Sequence, residues 1–320
     1  MEGAYYNGQY LNRLERLGYS QAEIDNKLER TFEEMFYGPE GVRLCHCAGP
    51  DMMYIEDTGN HDVRTEGMSY AMMFCVQMNR QKEFDCLWRW VVTHMYLTEG
   101  ENAGYFAWSC HTDGSKNSDG PAPDGEEFFA MSLFFAANRW GSGEGVLDYA
   151  SWARRILHAC VHKGEEAGSG FPMWNPENHL IKFVPNCEFT DPSYHLPHFY
   201  ELFALWSDEC DRPFWHAAAA ASRQYLRKAC HARTGLSAEY AEYDGRPHRG
   251  DQPDRHDWFF SDAYRTLGNI ALDAQWFGDK DGWAQETAAH IQQFFEEKEH
   301  GQTNGIYLID GTPVEGNALH

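Results

Sequence analysis

The feature that most constrains this chain is a repeat of paired helical segments. Residues 62–78 with 81–96, 124–140 with 145–163, 191–206 with 212–232, and 256–277 with 280–299 each carry apolar residues at helical spacing, broken once by a short polar joint. The first helices begin near residues 62, 124, 191 and 256, a period of slightly more than ~60 residues. An earlier pair precedes them: a short helical stretch around Tyr5 to Leu17, then a helix reaching about Phe36 that opens on the capping box Ser20-Gln-Ala-Glu23. Short joints make paired helices neighbours, and similar hairpins at a fixed period stack into a ring or solenoid. The expected fold class is therefore all-α, a ring of antiparallel helical hairpins forming an α/α barrel. Five pairs are legible, and a sixth first helix would begin almost at His320, so the ring has five hairpins or lacks its last one. Strand-like stretches at 180–184 and 305–309 read as loop hairpins at the rim.

Composition narrows the function. An excess of 49 acidic over 26 basic residues, formal charge -23, repels phosphate backbones, so nucleic acid is not an expected partner. The chain is 42% hydrophobic and 15% aromatic, enough for a real core with aromatic faces to spare, and such faces suit the C–H surfaces of sugars. The start, Met1-Glu2-Gly3-Ala4, lacks a secretion signal and no run of about 18 apolar residues occurs, so a soluble, cytoplasmic protein with no membrane partner is expected. Nine cysteines, spread singly from Cys45 to Cys230, read as reduced thiols. Cys45-His46-Cys47 has no second ligand pair, and His158 and His162, spaced i, i+4, have no acid motif beside them. No metal and no cofactor is expected.

Four acids start or lie inside the first helix of a pair: Glu66, Asp124, Asp191 and Asp262. Asp124, opening the capping box Asp124-Gly-Glu-Glu127, and Asp191, before Pro192, read first as N-caps, as Asp62 does before its helix. Asp262 has Trp258 and Phe259 one turn before it and Arg265 three residues after it. It is either a surface ion pair or a carboxylate kept charged by Arg265, which suits a base. Glu66 falls in a first helical turn, where the dipole favours ionisation, so service as a general acid would need burial or a like charge nearby. Two carboxyls across an aromatic cleft are the minimum equipment for glycoside hydrolysis. Tyr194 could hold a water with its phenol oxygen, and Trp108 could stack under a sugar ring, although each alone is more often a core aromatic.

At these residues the sequence resembles a known family. The blocks "DVRTEGMSYAMM", "PAPDGEEFFAMSLFFAANRWG", "DPSYHLPHFYELFA" and "DWFFSDAYRT" resemble glycoside hydrolase family 8, most closely its exo-acting members that release xylose from reducing ends. The resemblance runs from about residue 40 to the end. It implies an inverting hydrolase on an (α/α)6 barrel, here a single catalytic domain over residues 1–320 whose last hairpin is missing relative to the family. It further implies Glu66 as general acid, Asp262 as general base, Asp124 as the acid binding the sugar on the non-reducing side, and Tyr194 as the residue holding the nucleophilic water. Arg265 and Trp108 match a base-side arginine and a stacking tryptophan. His320, in the final Ala318-Leu-His, resembles a loop histidine that binds the anomeric hydroxyl of the leaving sugar.

The implied substrate is a β-1,4-xylo-oligosaccharide, with the two carboxyls about 6.5–9.5 Å apart to admit a water. An endo-acting xylanase or β-glucanase of the same family is the nearest alternative. A sugar-binding barrel without turnover is the alternative from another class. Oligomeric state is not legible.

Overall fold

The computed structural model describes residues 2–165, 170–250, 255–299 and 305–314. Two compact units divide the chain, one of residues 11–171 and one of residues 1–10 with 172–320. No helix among the described residues is long and apolar enough to cross a membrane.

In chain order the helices are α1 (Ala4–Asn7), α2 (Arg13–Arg16), α3 (Gln21–Tyr37), α4 (Thr65–Gln77), α5 (Gln81–Trp90), α6 (Pro123–Trp140), α7 (Tyr149–His162), α8 (Pro197–Trp206), α9 (Arg212–Ala229), α10 (Arg265–Phe277) and α11 (Trp283–Glu299). The pairs expected from the repeat pack as pairs: α4 on α5, α6 on α7, α8 on α9 and α10 on α11. Four strands of three residues each accompany them: β1 (Cys45–Cys47), β2 (Met53–Ile55), β3 (Asp62–Arg64) and β4 (Ser109–His111). β1 pairs antiparallel with β2 and β3 with β4, with Val63 opposite Cys110. These strands are too short for a period-2 pattern to declare itself, and only the pairing defines them.

In the unit of residues 11–171, α4 is the central element. Met68, Ala71, Met72, Cys75 and Val76 are all buried, so the helix is apolar around most of its circumference and packs on α5 and α6 at once. Each large side chain so buried contributes about 1.5–3 kcal/mol of transfer free energy. The Ser20–Glu23 capping box is formed in both directions, and it starts α3 with Ile24, Phe32 and Phe36 inward. α5 runs on into a π-helical turn, Val91–Met95, and the buried Trp88 donates its indole N–H to the Val146 carbonyl at 2.8 Å.

In the other unit, Arg223 on α9 ties three helices. Its guanidinium bonds both oxygens of Asp273 on α10, at 2.8 and 2.7 Å, and reaches Glu201 on α8 at 2.5 Å. The planar fork fits this geometry and a lysine would not. α1 lies on α10, with the Tyr5 ring 5.1 Å from that of Phe277.

Several expected boundaries move, for local reasons. Residues 62–64 are strand rather than helix. The Asp62 carboxylate accepts from Arg64 Nε at 3.0 Å and Ser109 Oγ at 2.9 Å, so Asp62 caps nothing. The 191–206 segment breaks into a 3-10 turn, Pro192–Tyr194, and α8, because Pro197 lacks an N–H and drives Leu196 out of helical conformation. The 256–277 segment begins with a 3-10 turn, Ser261–Tyr264, entered through Ser261 at φ 47°. The stretch from Tyr5 to Leu17 is two single turns, the first ended by Gly8 at φ 70°. Around 180–184 and 305–309 the backbone makes only isolated bridges, Ile181 with Trp174 and Tyr307 with Phe259 and Pro313.

Candidate active site

The sequence-predicted residues fall into two clusters, one in each unit. Glu66, Trp108 and Asp124 belong to residues 11–171, and Tyr194, Asp262 and Arg265 to the other unit. His320 lies outside the described residues.

Glu66 is the second residue of α4, half-buried, immediately after β3. The β3–β4 pairing delivers the Trp108 segment to this helix start: the Thr65 N–H donates to the Trp108 carbonyl at 3.0 Å. Arg64 places its guanidinium carbon 5.2 Å from the centre of the Trp108 ring while its Nε bonds Asp62. One face of the indole is therefore held by a cation whose charge is already matched.

Asp124 is not an N-cap. Pro123, whose fixed φ suits the first helical position, starts α6 one residue earlier, and Ala122 occupies the cap position with no side-chain bond. The expected capping box at Asp124-Gly-Glu-Glu127 is therefore absent. Asp124 is instead a buried acid inside the first turn, its Oδ1 accepting from the Gly125 N–H at 3.1 Å. Its placement depends on Gly125: a Cβ there would lie 2.5 Å from the Cβ of Thr65, the residue before Glu66. Only a glycine lets the first turn of α6 settle this closely onto the first turn of α4.

Two further acids, Glu126 and Glu127, are buried in the same turn. Burial, with the charges of Asp124 and Glu66 adding to it, holds the Glu126 carboxyl well above the usual carboxylate range, against the pull of a backbone N–H from Phe106. Sequence reading passed over Glu126, although three acids in "DGEEFFAMSLFF" on a helix apolar around its girth were a visible signal.

The second cluster is built on two 3-10 turns. Asp191 caps the first, as expected, its Oδ1 accepting from the Ser193 N–H at 2.6 Å. The turn is further held by Asn269 Nδ2 on the Ser193 carbonyl at 2.7 Å and by the Tyr200 hydroxyl on the Tyr194 carbonyl at 3.1 Å. The turn that carries Tyr194 is thus held by its own cap and by side chains from α10 and α8. Asp262 sits in the second turn rather than inside a helix, partly exposed, with Arg265 Nη2 at 3.0 Å from its Oδ2. The Arg265 guanidinium carbon stands 5.5 Å from the centre of the Tyr194 ring.

Asp191 is more than a cap. Burial, reinforced by Asp262, raises its pKa well above the ordinary value, while Arg265 and the Ser193 N–H act in the opposite sense. Glu239, unforeseen from sequence, bonds His256 Nδ1 at 2.8 Å, and its N–H donates to the Trp258 carbonyl at 2.8 Å, securing the segment that leads to Asp262. Burial and the Asp262 charge raise the Glu239 pKa against the pull of His256.

Of the residues weighed as metal ligands, His158 and His162 offer ring nitrogens within 4.8 Å of one another. His46 Nε2 is 3.2 Å from Glu56, and the His158 and His162 rings lie 4.4 Å apart with His162 Nδ1 at 2.7 Å from Glu165. His158 is exposed, in keeping with a surface reading, and His162 is half-buried.

Glycoside hydrolysis needs two carboxyl groups, and each cluster offers at least one. Comparison with known proteins identifies the family. Residues 19–317 match Glycosyl hydrolases family 8. The reducing end xylose-releasing exo-oligoxylanase of Halalkalibacterium halodurans is 54% identical over 320 residues, covering 100% of this chain and 81% of that protein. Reducing-end xylose-releasing exo-oligoxylanase Rex8A of Paenibacillus barcinonensis is 54% identical over 323 residues, 100% of this chain and 83% of the relative. The structure of Rex8A complexed with xylose superposes with a TM-score of 0.95 at 53% identity, over 100% of this chain and 84% of that one. This chain belongs to glycoside hydrolase family 8.

Proposed function

We propose that this glycoside hydrolase removes xylose from the reducing end of β-1,4-xylo-oligosaccharides with inversion at the anomeric carbon. The observation that carries the reading is identity of 54%, end to end, with a protein that bears this activity in its name. In this reading Asp262 takes a proton from a water held by the Tyr194 hydroxyl, and the water oxygen bonds to the anomeric carbon. The glycosidic C–O bond breaks as Glu66 gives its proton to the leaving oxygen. Asp124 binds the sugar on the non-reducing side, Trp108 stacks against a ring, Arg265 orients the base, and His320 binds the anomeric hydroxyl of the departing xylose.

The site's support lies in its frames. Glu66 follows a strand pinned to Trp108, and Asp262 is gripped by the arginine that also faces Tyr194. We read the helical pairs as five of the six hairpins of an (α/α)6 barrel, with residues 1–320 serving as one catalytic domain. None of the nine cysteines is in a disulfide, and Cys47 and Cys210 are exposed, which favours a reducing cytoplasmic setting in which the substrates are short oligosaccharides. Neither nucleic acid nor a membrane has a part in the reaction. Incubation with xylohexaose labelled at its reducing end tests the reading: labelled xylose as the first labelled product supports it, and a ladder of longer labelled fragments refutes it.

A further inference from the structure

Glu126 is fully buried on α6, two residues after Asp124. One carboxyl oxygen accepts from the Phe106 N–H at 3.0 Å, and the other has no hydrogen-bond partner among the described residues. The Phe106 ring is enclosed by Trp88, Tyr96 and Phe129, with centroids at 5.9, 5.3 and 5.1 Å. In that setting the Phe106 N–H needs a partner supplied from α6. Two residues further on, Trp108 turns its carbonyl to the Thr65 N–H at the start of the Glu66 helix, and Ala107 between them bonds the Met95 carbonyl at 2.8 Å.

We propose that Glu126 is a positioning residue for the reaction, fixing the Phe106–Trp108 segment against the helix of Glu66 through its bond to the Phe106 N–H. The inference rests on the functional reading above and adds to it a reason for a third acid. The groups that face Glu126 are Glu66 from α4, Asp124 on its own helix and Cys160 from α7, none of them a cation. A side chain there must be long enough to reach Phe106 and must stay uncharged, since burial and both neighbouring acids oppose ionisation. A protonated glutamic acid meets both demands, and it leaves Glu66 and Asp124 as the acids of this cluster that meet substrate.

The test uses Glu126→Ala and Glu126→Gln, each in a Glu66→Gln background so that xylotriose binds without turning over, with Kd read by calorimetry. Loss of the clamp in Glu126→Ala should weaken binding about 10-fold or more through misplacement of Trp108. Glu126→Gln, uncharged and able to offer its amide oxygen to Phe106, should restore Kd to within about 3-fold of the parent. A second readout is independent of sugar. Because folding binds a proton at Glu126, Glu126→Gln should be at least as stable to urea as the parent at pH 7.5, with the difference shrinking towards pH 4.5. Parent-like affinity in Glu126→Ala overturns the proposal, as does Glu126→Gln binding as poorly as Glu126→Ala or being less stable than the parent at pH 7.5. If the parent itself does not bind xylotriose, the functional reading fails, and the stability comparison alone still decides whether Glu126 is the uncharged acid described.

Discussion

Arg265 Nη2 stands 3.0 Å from Asp262 Oδ2, and the same guanidinium faces the Tyr194 ring with its carbon 5.5 Å from the ring centre. One cation therefore borders both groups that the proposed reaction assigns to the attacking water. Its charge also reaches the buried Asp191 beneath the Tyr194 turn.

Arg265→Lys should not preserve activity. A lysine keeps the charge but is a compact point cation without the planar face that meets the tyrosine. A loss of about 10- to 100-fold in kcat with KM little changed is expected for both Arg265→Lys and Arg265→Ala. Steady-state kinetics on xylotriose check this, and a lysine variant with full kcat would contradict it.

Gly125→Ala should harm both fold and function. The new Cβ would meet Thr65 Cβ at 2.5 Å and Oγ1 at 2.6 Å, and Thr65 is a stiff, fully buried β-branched residue. Relief requires α6 to move away from α4, at a cost of about 1–3 kcal/mol. Urea denaturation should show that loss, and kcat/KM should fall more steeply than stability because Asp124 and Glu66 sit on the two turns forced apart. Thr65→Gly, which removes both clashing atoms, should recover part of the activity in the Gly125→Ala background.

Acid should destabilise the protein through His198. Burial, with the Arg223 charge beside it, lowers the His198 pKa to about 3, so the ring is neutral in the fold and titrates near its ordinary 6.5 once unfolded. The folded pKa is depressed, so the stability is fully present above pH 6.5 and is lost as pH falls from there towards 3. Buried acids such as Asp191 and Glu126 act in the opposite sense, so the clean measurement is a difference. The urea midpoint of wild type minus that of His198→Gln should shrink steadily between pH 7 and pH 4.5. A difference that grows with acid would contradict the assignment.

The helix pairs were legible because their apolar faces repeat over many residues, and α4 to α11 appear close to where periodicity placed them. Their starts were less legible, because each turns on one local event. Examples are Pro123 opening α6 ahead of Asp124, Pro197 breaking the segment that holds Tyr194, and Ser261 taking a positive φ before Asp262. The same holds for the site. An acid in a helical pattern looks like a cap until its neighbours in space are known, which is why Asp191 could be placed while Asp124 could not. Glu126 and Glu239 earn their positions from Phe106 and His256, each 17 or more residues away in sequence. No helical spacing predicts such pairs.

The central claim is that Glu66 protonates the leaving oxygen while Asp262 activates water from the opposite side, and proton NMR of xylotriose hydrolysis tests it most directly. Wild type should release xylobiose whose new reducing end is first seen as the α-anomer. Glu66→Gln should lose at least about 1,000-fold in kcat, with its urea midpoint unchanged within error. A β-anomer at the new reducing end of xylobiose, or a Glu66→Gln variant that turns over like wild type, would contradict the account.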